Sequence, residues 1–147
     1  MIRVLRHYKE RRDKCTLQPL VGDARFQFHT WRPGHTTDAT GTVVLEIDAP
    51  LLSEDDVGAP LLILDSTWRY LPAMRASLCG EFTTRSLPPV ATAYPRLARL
   101  SANPGDGLAS IEAVYFALRL LGQRDDALLD HYHWKAAFLQ HCDAVDA

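Results

Sequence analysis

Cysteine is scarce. The three in the chain, Cys15, Cys79 and Cys142, lie 64 and 63 positions apart, which suits neither a disulfide framework nor a metal-ligand set. A reduced, cytosolic protein is therefore expected. Long apolar runs are missing as well. The longest, residues 59–64, is far short of the roughly 20 residues that cross a bilayer. Arg3 and Arg6 interrupt any amino-terminal apolar segment, so neither a leader nor an anchor is expected. No Gly-x-Gly-x-x-Gly follows a strand and no Walker loop is present, which removes support for a dinucleotide crevice or a P-loop. His-Glu-x-x-His, Cys-x-x-Cys and Gly-x-Ser-x-Gly are absent too. Of six histidines only His133 and His141, with His131 nearby, share a segment, and eight residues apart they make a poor zinc pair, so no metal is expected.

What is present is an average composition. Of 147 residues, 47% are hydrophobic and 23% charged, close to the roughly 45–50% and about 25% of globular proteins. Disorder, collagen and coiled coil are excluded, and a chain of this length buries roughly two-thirds of its unfolded surface without staples. The formal net charge of −2 argues against a general nucleic-acid binder, whose domains have pI above about 9. That average hides an asymmetry. Residues 1–14 carry Arg3, Arg6, Lys9, Arg11, Arg12 and Lys14 against Glu10 and Asp13, a local +4, which leaves −6 for the other 133 residues. Such a patch can hold a phosphate backbone on an acidic molecule; an ordinary solvated segment is the other reading.

Hydrophobic spacing predicts the elements. Residues 2–8 alternate weakly, Ile2 and Val4 opposite Arg3, as in a half-buried edge strand. Phe26, Phe28 and Thr30 alternate with Gln27, His29 and Trp31, a strand with one aromatic face. Residues 33–41, rich in Gly, Thr and Pro, read as a linker. A boundary is placed there between a small amino-terminal α+β unit, residues 1–40, and a main domain, residues 41–147. Residues 42–47 are β-branched and apolar, a strand, and Ser53 to Asp56 opens a helix with carboxylates at its positive end. Residues 60–64 are continuously apolar, as in a parallel strand covered on both faces. That run ends in Asp65-Ser66-Thr67-Trp68, the strand end at which open α/β sheets place their ligand crevice. Trp68, Leu71, Met74 and Leu78 follow at near-helical spacing, with Pro72 in the first turn. Leu108, Ile111, Tyr115 and Leu118 mark an amphipathic helix over 108–121, capped by Asp106 and ended by Gly122. A last helix is expected over 127–142. The order of strands and helices indicates an α/β fold.

Asp65 has two readings. At the end of a buried strand it can act as a general base, with the Trp68 indole as a stacking face for a flat ligand. Alternatively it caps the following helix while Trp68 fills the core.

The segment Leu64-Asp65-Ser66-Thr67-Trp68 resembles the D-x-S/T-W signature of the DTW-domain tRNA-uridine aminocarboxypropyltransferases and of the ribosome-biogenesis aminocarboxypropyltransferases that modify small-subunit ribosomal RNA. The likeness to the second group runs along the chain. Lys14-Cys15-Thr16 is similar to its K-C-T motif, Leu51-Leu52-Ser53-Glu54-Asp55 to the acidic segment before the signature, and Arg85-Ser86-Leu87-Pro88 to its R-x-L-P segment. Leu108-Ala109-Ser110-Ile111-Glu112-Ala113 resembles its L-S-S/T-x-E-A helix start, and Tyr132-His133-Trp134-Lys135 with Phe138-Leu139 its closing helix. Asp106 stands where the family has an aromatic residue, for which Tyr94 is a candidate substitute, and Ala136 replaces a glycine.

The resemblance implies a SPOUT-like parallel sheet with a carboxyl-terminal trefoil knot behind the small amino-terminal unit, and S-adenosylmethionine as cofactor. It implies transfer of a 3-amino-3-carboxypropyl group to a uridine-type base of RNA, ribosomal in the first instance. A cytoplasmic monomer, more than a dimer, is expected. Transfer to tRNA, a SPOUT methyltransferase and an RNA-binding assembly factor without turnover are the alternatives. Carried over by position, Asp65 is the catalytic or orienting carboxylate, and Thr16, Leu64, Trp68, Leu87 and Ser110 line the cofactor pocket; from the local charge, Arg3, Arg6, Lys9, Arg11, Arg12 and Lys14 are expected to grip the RNA.

Overall fold

A continuously apolar strand is stable only where both of its faces are covered, and the sheet is built around such a strand. The computed structural model describes residues 1–95 and 108–146. Its strands are β1 (Ile2–His7), β2 (Phe26–Trp31), β3 (Thr37–Asp38), β4 (Val43–Leu45), β5 (Leu61–Asp65), β6 (Leu78–Cys79) and β7 (Thr83–Arg85), and its helices are α1 (Leu71–Ala76), α2 (Ser110–Leu120) and α3 (Lys135–Asp146). Five strands form one sheet in the order β2-β1-β5-β4-β7, every pairing parallel. The short β3 and β6 pair separately, also parallel.

Side-chain alternation sorts the sheet's residues onto two layers. Ile2, Val4, Val43, Leu61 and Ile63 pack in one cluster with Ile111, Val114, Tyr115 and Phe116 of α2 and Phe138 and Cys142 of α3. The intervening Leu5, Val44 and Leu62 join Met74 of α1, Trp31 and Ala39 in the other. Each β5 side chain so enclosed contributes on the order of 1.5–3 kcal/mol through burial. No described helix is long and apolar enough to cross a membrane.

Several expectations are revised. β1 is not an edge strand but an interior one, between β2 and β5, and the sheet takes strands from both sides of residue 40. Its two arginines mimic a solvated face for different reasons: Arg3 reaches out to donate to the Asp38 carbonyl at 2.8 Å, whereas Arg6 stays buried because a carboxylate waits beside it. The linker over 33–41 contains β3. The strand over 42–47 shrinks to β4, with Ile47 left 67% exposed. The helix at Ser53 is a single 3-10 turn, Glu54–Asp56, capped by the Ser53 hydroxyl. The last helix is broken: a 3-10 turn, Asp126–Leu129, is followed by turns at residues 130–134 before α3 begins. The intervening Asp-His-Tyr-His run has weak helix propensity, and Tyr132 leaves the helical path to bury its ring against Trp134 at 5.7 Å.

α2 follows expectation and ends on a Schellman motif, Gln123 N–H donating to the Leu118 carbonyl and Gly122 N–H to that of Arg119, with Gly122 at φ 79°. Its amino terminus is capped in part from far away in sequence. The Thr16 hydroxyl, 95 positions away in sequence, accepts from the Ile111 N–H at 3.0 Å, and the Glu112 carboxylate reaches back to the Ala109 N–H at 2.9 Å. The expected Asp106 cap and the Gly105 to Gly107 loop lie outside the described residues.

Candidate active site at the carboxyl end of the central strand

Parallel register places Arg6 of β1 directly beside Asp65, the last residue of β5. Arg6 Nε donates to Asp65 Oδ2 at 3.4 Å, and both side chains are buried. The rest of the guanidinium is used inward: one terminal nitrogen donates to Gln18 Oε1 at 3.1 Å and the other to Cys15 Sγ at 3.2 Å. Its plane lies 5.1 Å over the Phe28 ring. Cys15 Sγ in turn donates to Asp65 Oδ2 at 2.9 Å, and Ser110 Oγ donates to Oδ1 at 2.8 Å. The carboxylate thus ties together β1, the turn at Cys15 and Thr16, and the first residue of α2.

This arrangement goes against the capping reading of Asp65. It caps nothing: the following 3-10 turn, Trp68–Tyr70, has Thr67 at its cap without a side-chain hydrogen bond. Both carboxylate oxygens are taken by donors from three separate segments, which suits an orienting group better than a free base. Burial first, and then the adjacent Asp65, push the Cys15 thiol up to about 11. At neutral pH it is a protonated donor rather than a nucleophile. Next to Asp65, the Ser66 hydroxyl oxygen is buried with no hydrogen-bond partner among the described residues, a polar atom that calls for a partner from outside them.

Of the other sequence-derived positions, Thr16 and Ser110 join Asp65 in this group through the start of α2. Leu64 turns to the opposite layer, against the cluster that holds Met74, while Leu87 packs on the α2 side. Trp68 fills no core; it is 41% exposed just past the strand end. Tyr94 packs edge-on to Trp134 at 5.2 Å.

The basic segment is not six free cations. Arg6 is consumed by the buried network, Arg3 by the Asp38 carbonyl, and Arg11 pairs with Asp13 at 2.9 Å. Arg12 is exposed, and Lys14 belongs to the same 3-10 turn, Arg12–Lys14. Lys9 lies over the rings of Tyr8 and Tyr70. Sequence reasoning missed Cys15 as a ligand of Asp65; its signal was the K-C-T motif read only for its threonine.

Glu10 was missed as well. It sits in the turn after β1, its N–H donating to the His7 carbonyl at 2.9 Å, and is partly buried. Burial first and Asp65 second push its carboxyl up, with Arg6 pulling the other way. A native state that holds this proton more tightly than the unfolded chain gains stability at low pH and loses it as pH rises through the native pKa. Glu10→Gln is therefore expected to raise Tm by roughly 1–3 °C near pH 7, and the gain should vanish in melts near pH 4, where the wild-type group is already protonated. A variant no more stable at neutral pH would show that Glu10 carries no such penalty.

Neither a known protein family nor a curated protein sequence matches the chain. Among solved structures it is similar to the SAM-dependent rRNA:acp-transferase Tsr3 from Vulcanisaeta distributa, with a TM-score of 0.71 and 24% identity over 95% of this chain and 76% of that one. The likeness shows a shared fold.

Proposed function

We propose that this chain transfers the 3-amino-3-carboxypropyl group of S-adenosylmethionine to a uridine-type base of RNA, with ribosomal RNA as the substrate. One coincidence carries the reading. The Asp65-Ser66-Thr67-Trp68 signature falls at the carboxyl end of an interior parallel strand, where α/β sheets bind ligands, within a fold shared with an rRNA acp-transferase over nearly the whole chain. The residues fit the cofactor in kind: a buried hydroxyl on Ser66 without a partner among the described residues, polar groups at Thr16 and Ser110, and an exposed indole at Trp68.

In this reading Thr16, Leu64, Trp68, Leu87 and Ser110 hold S-adenosylmethionine. When bound, it supplies a sulfonium whose substituents are already activated towards a nucleophile. The protein's part is then mainly positioning. Asp65 fixes Ser110, and through it the start of α2, while Arg6 keeps the carboxylate from turning. Arg12, with Arg3, Lys9 and Arg11 at the margin, faces phosphate, Lys14 is assigned to the same RNA grip, and Arg6 acts from behind as support for the site. A carboxyl-terminal trefoil knot of SPOUT type belongs to the same proposal, as does an RNA-facing amino-terminal segment, residues 1–40, whose β1 and β2 share the sheet of residues 41–147, and action as a cytoplasmic monomer.

The test uses S-adenosylmethionine labelled separately in its methyl and carboxypropyl carbons, incubated with the protein and with ribosomal or transfer RNA. Label is expected to enter ribosomal RNA from the carboxypropyl group alone. Entry from the methyl alone would make the protein a methyltransferase, and entry into transfer RNA alone would move the substrate. Tight RNA binding with no transfer from either carbon would leave an assembly factor.

A further inference from the structure

The aromatic residues at the same sheet edge form a cluster that the cofactor reading leaves unused. We propose that Tyr8, with Lys9 and Arg32 beside it, is a stacking platform for an unpaired nucleotide of RNA next to the Asp65 site; this rests on the RNA reading above. Tyr8 follows the last residue of β1, and its N–H donates to the Trp31 carbonyl at 2.9 Å, so its backbone is held at the edge of the sheet. Its side chain stays outside: Tyr8 is 39% exposed, although an apolar ring this close to buried strands could have packed inward. Two cations flank it. Lys9 Nζ lies 5.7 Å and the Arg32 guanidinium carbon 5.6 Å from its ring centroid, and Lys9 lies 5.9 Å from the Tyr70 centroid.

Behind this exposed ring the support is rigid. His7 stacks on Tyr70 at 4.0 Å with the planes 14° apart, and on Trp31 at 5.1 Å. Trp31 is pinned by its Nε1–H to Ser77 Oγ at 2.9 Å, and His7 Nδ1 accepts the Lys9 N–H at 3.1 Å. Burial, and then Lys9, hold the His7 imidazole below its ordinary value, so it stacks as a neutral ring.

Charge and shape select the partner. An unpaired nucleotide offers a flat π face to the tyrosine and a phosphate to the cations, and Arg itself stacks on bases. Lys9 and Arg32 carry long flexible stems, so either can move from the ring to a phosphate while a base takes its place. A duplex keeps its bases stacked on one another and presents no free face. Tyr8 follows β1, Arg32 follows β2 and Tyr70 comes five residues after β5, so the platform and Asp65 share the carboxyl edge of the sheet.

The test is fluorescence anisotropy of the full chain with a labelled, uridine-rich single-stranded RNA of about a dozen nucleotides, and with the same strand annealed to its complement, a length matching the site sizes of single-strand binders. Single strand is expected to bind more tightly than duplex. Tyr8→Leu should weaken single-strand binding roughly 5- to 150-fold, as loss of a stacked base does, with duplex binding unchanged, while Tyr8→Phe should stay within about twofold of wild type because the π face remains. Lys9→Met with Arg32→Met, both at exposed positions, should reduce the salt slope by about 0.7 per lost phosphate contact. That pair keeps the test sound if Tyr8→Leu melts early. Tyr8→Leu or the double variant binding single strand as wild type does would overturn the platform and leave the RNA reading standing. A wild-type chain that binds neither RNA would overturn both.

Discussion

Asp65→Ala is expected to abolish group transfer and to cost the fold about 3–5 kcal/mol, the range for breaking one side of a buried ion pair. The deletion removes more than one contact. Arg6 is left as a buried cation whose nearest remaining partners are a neutral amide oxygen and a thiol, and the Cys15 and Ser110 donors both lose their acceptor. For a chain of this length the penalty corresponds to a fall in Tm of roughly 10 °C, readable in thermal melts and in urea midpoints. Stability and function are separable. Replacing both partners, Arg6→Met with Asp65→Leu, removes the stranded charge and should recover most of the stability, since apolar replacements of buried pairs are often neutral or better. Transfer should not return, because nothing then fixes Ser110. If the double variant regains transfer, the network is structural only and Asp65 has no part in the chemistry.

The parts of the fold that were legible in the sequence are those where burial is uniform or regularly periodic. β5 is apolar on both faces because helices cover both, and α2 shows its stripe because one side of it meets the sheet. Where a polar residue is buried with a distant partner, the pattern misleads. Arg6 reads as solvent-facing until β5 is laid beside β1, and its partner lies 59 residues away. The first turn of α2 uses the Thr16 hydroxyl, 95 positions away, which no local pattern announces. The signature strand end is where the Asp65 donors converge, but one sequence segment says nothing of those that reach it from others. For the same reason the basic segment looked like a uniform grip, whereas folding turns one of its arginines to the interior and sets a lysine against two aromatic rings.

Glu112→Ala is expected to have an effect of similar size, about 3–5 kcal/mol, from a residue with no charged partner among the described residues. Glu112 is fully buried, and its carboxylate accepts from the Thr92 hydroxyl, from the Ala93 N–H at 2.8 Å and from the Ala109 N–H at 2.9 Å. It sits in the first turn of α2, where the unpaired N–H groups and the helix dipole favour a negative charge. The residue therefore clamps the segment at 92–93 to the turn that carries Ser110, two positions before it. Truncation leaves two backbone N–H groups and a hydroxyl without this acceptor, the Ala109 N–H buried and the groups at residues 92–93 partly so. Glu112→Gln keeps the shape and one acceptor oxygen but points an N–H₂ group at donors, so about 1–3 kcal/mol is expected. Hydrogen exchange at the Ala93 and Ala109 amides should quicken in Glu112→Gln well beyond what global destabilisation gives. Because Ser110 is held to Asp65 from the same turn, S-adenosylmethionine binding measured by calorimetry should weaken more in Glu112→Gln than in a variant of equal stability loss on α3. Equal cofactor affinity in the two would confine Glu112 to holding the fold together.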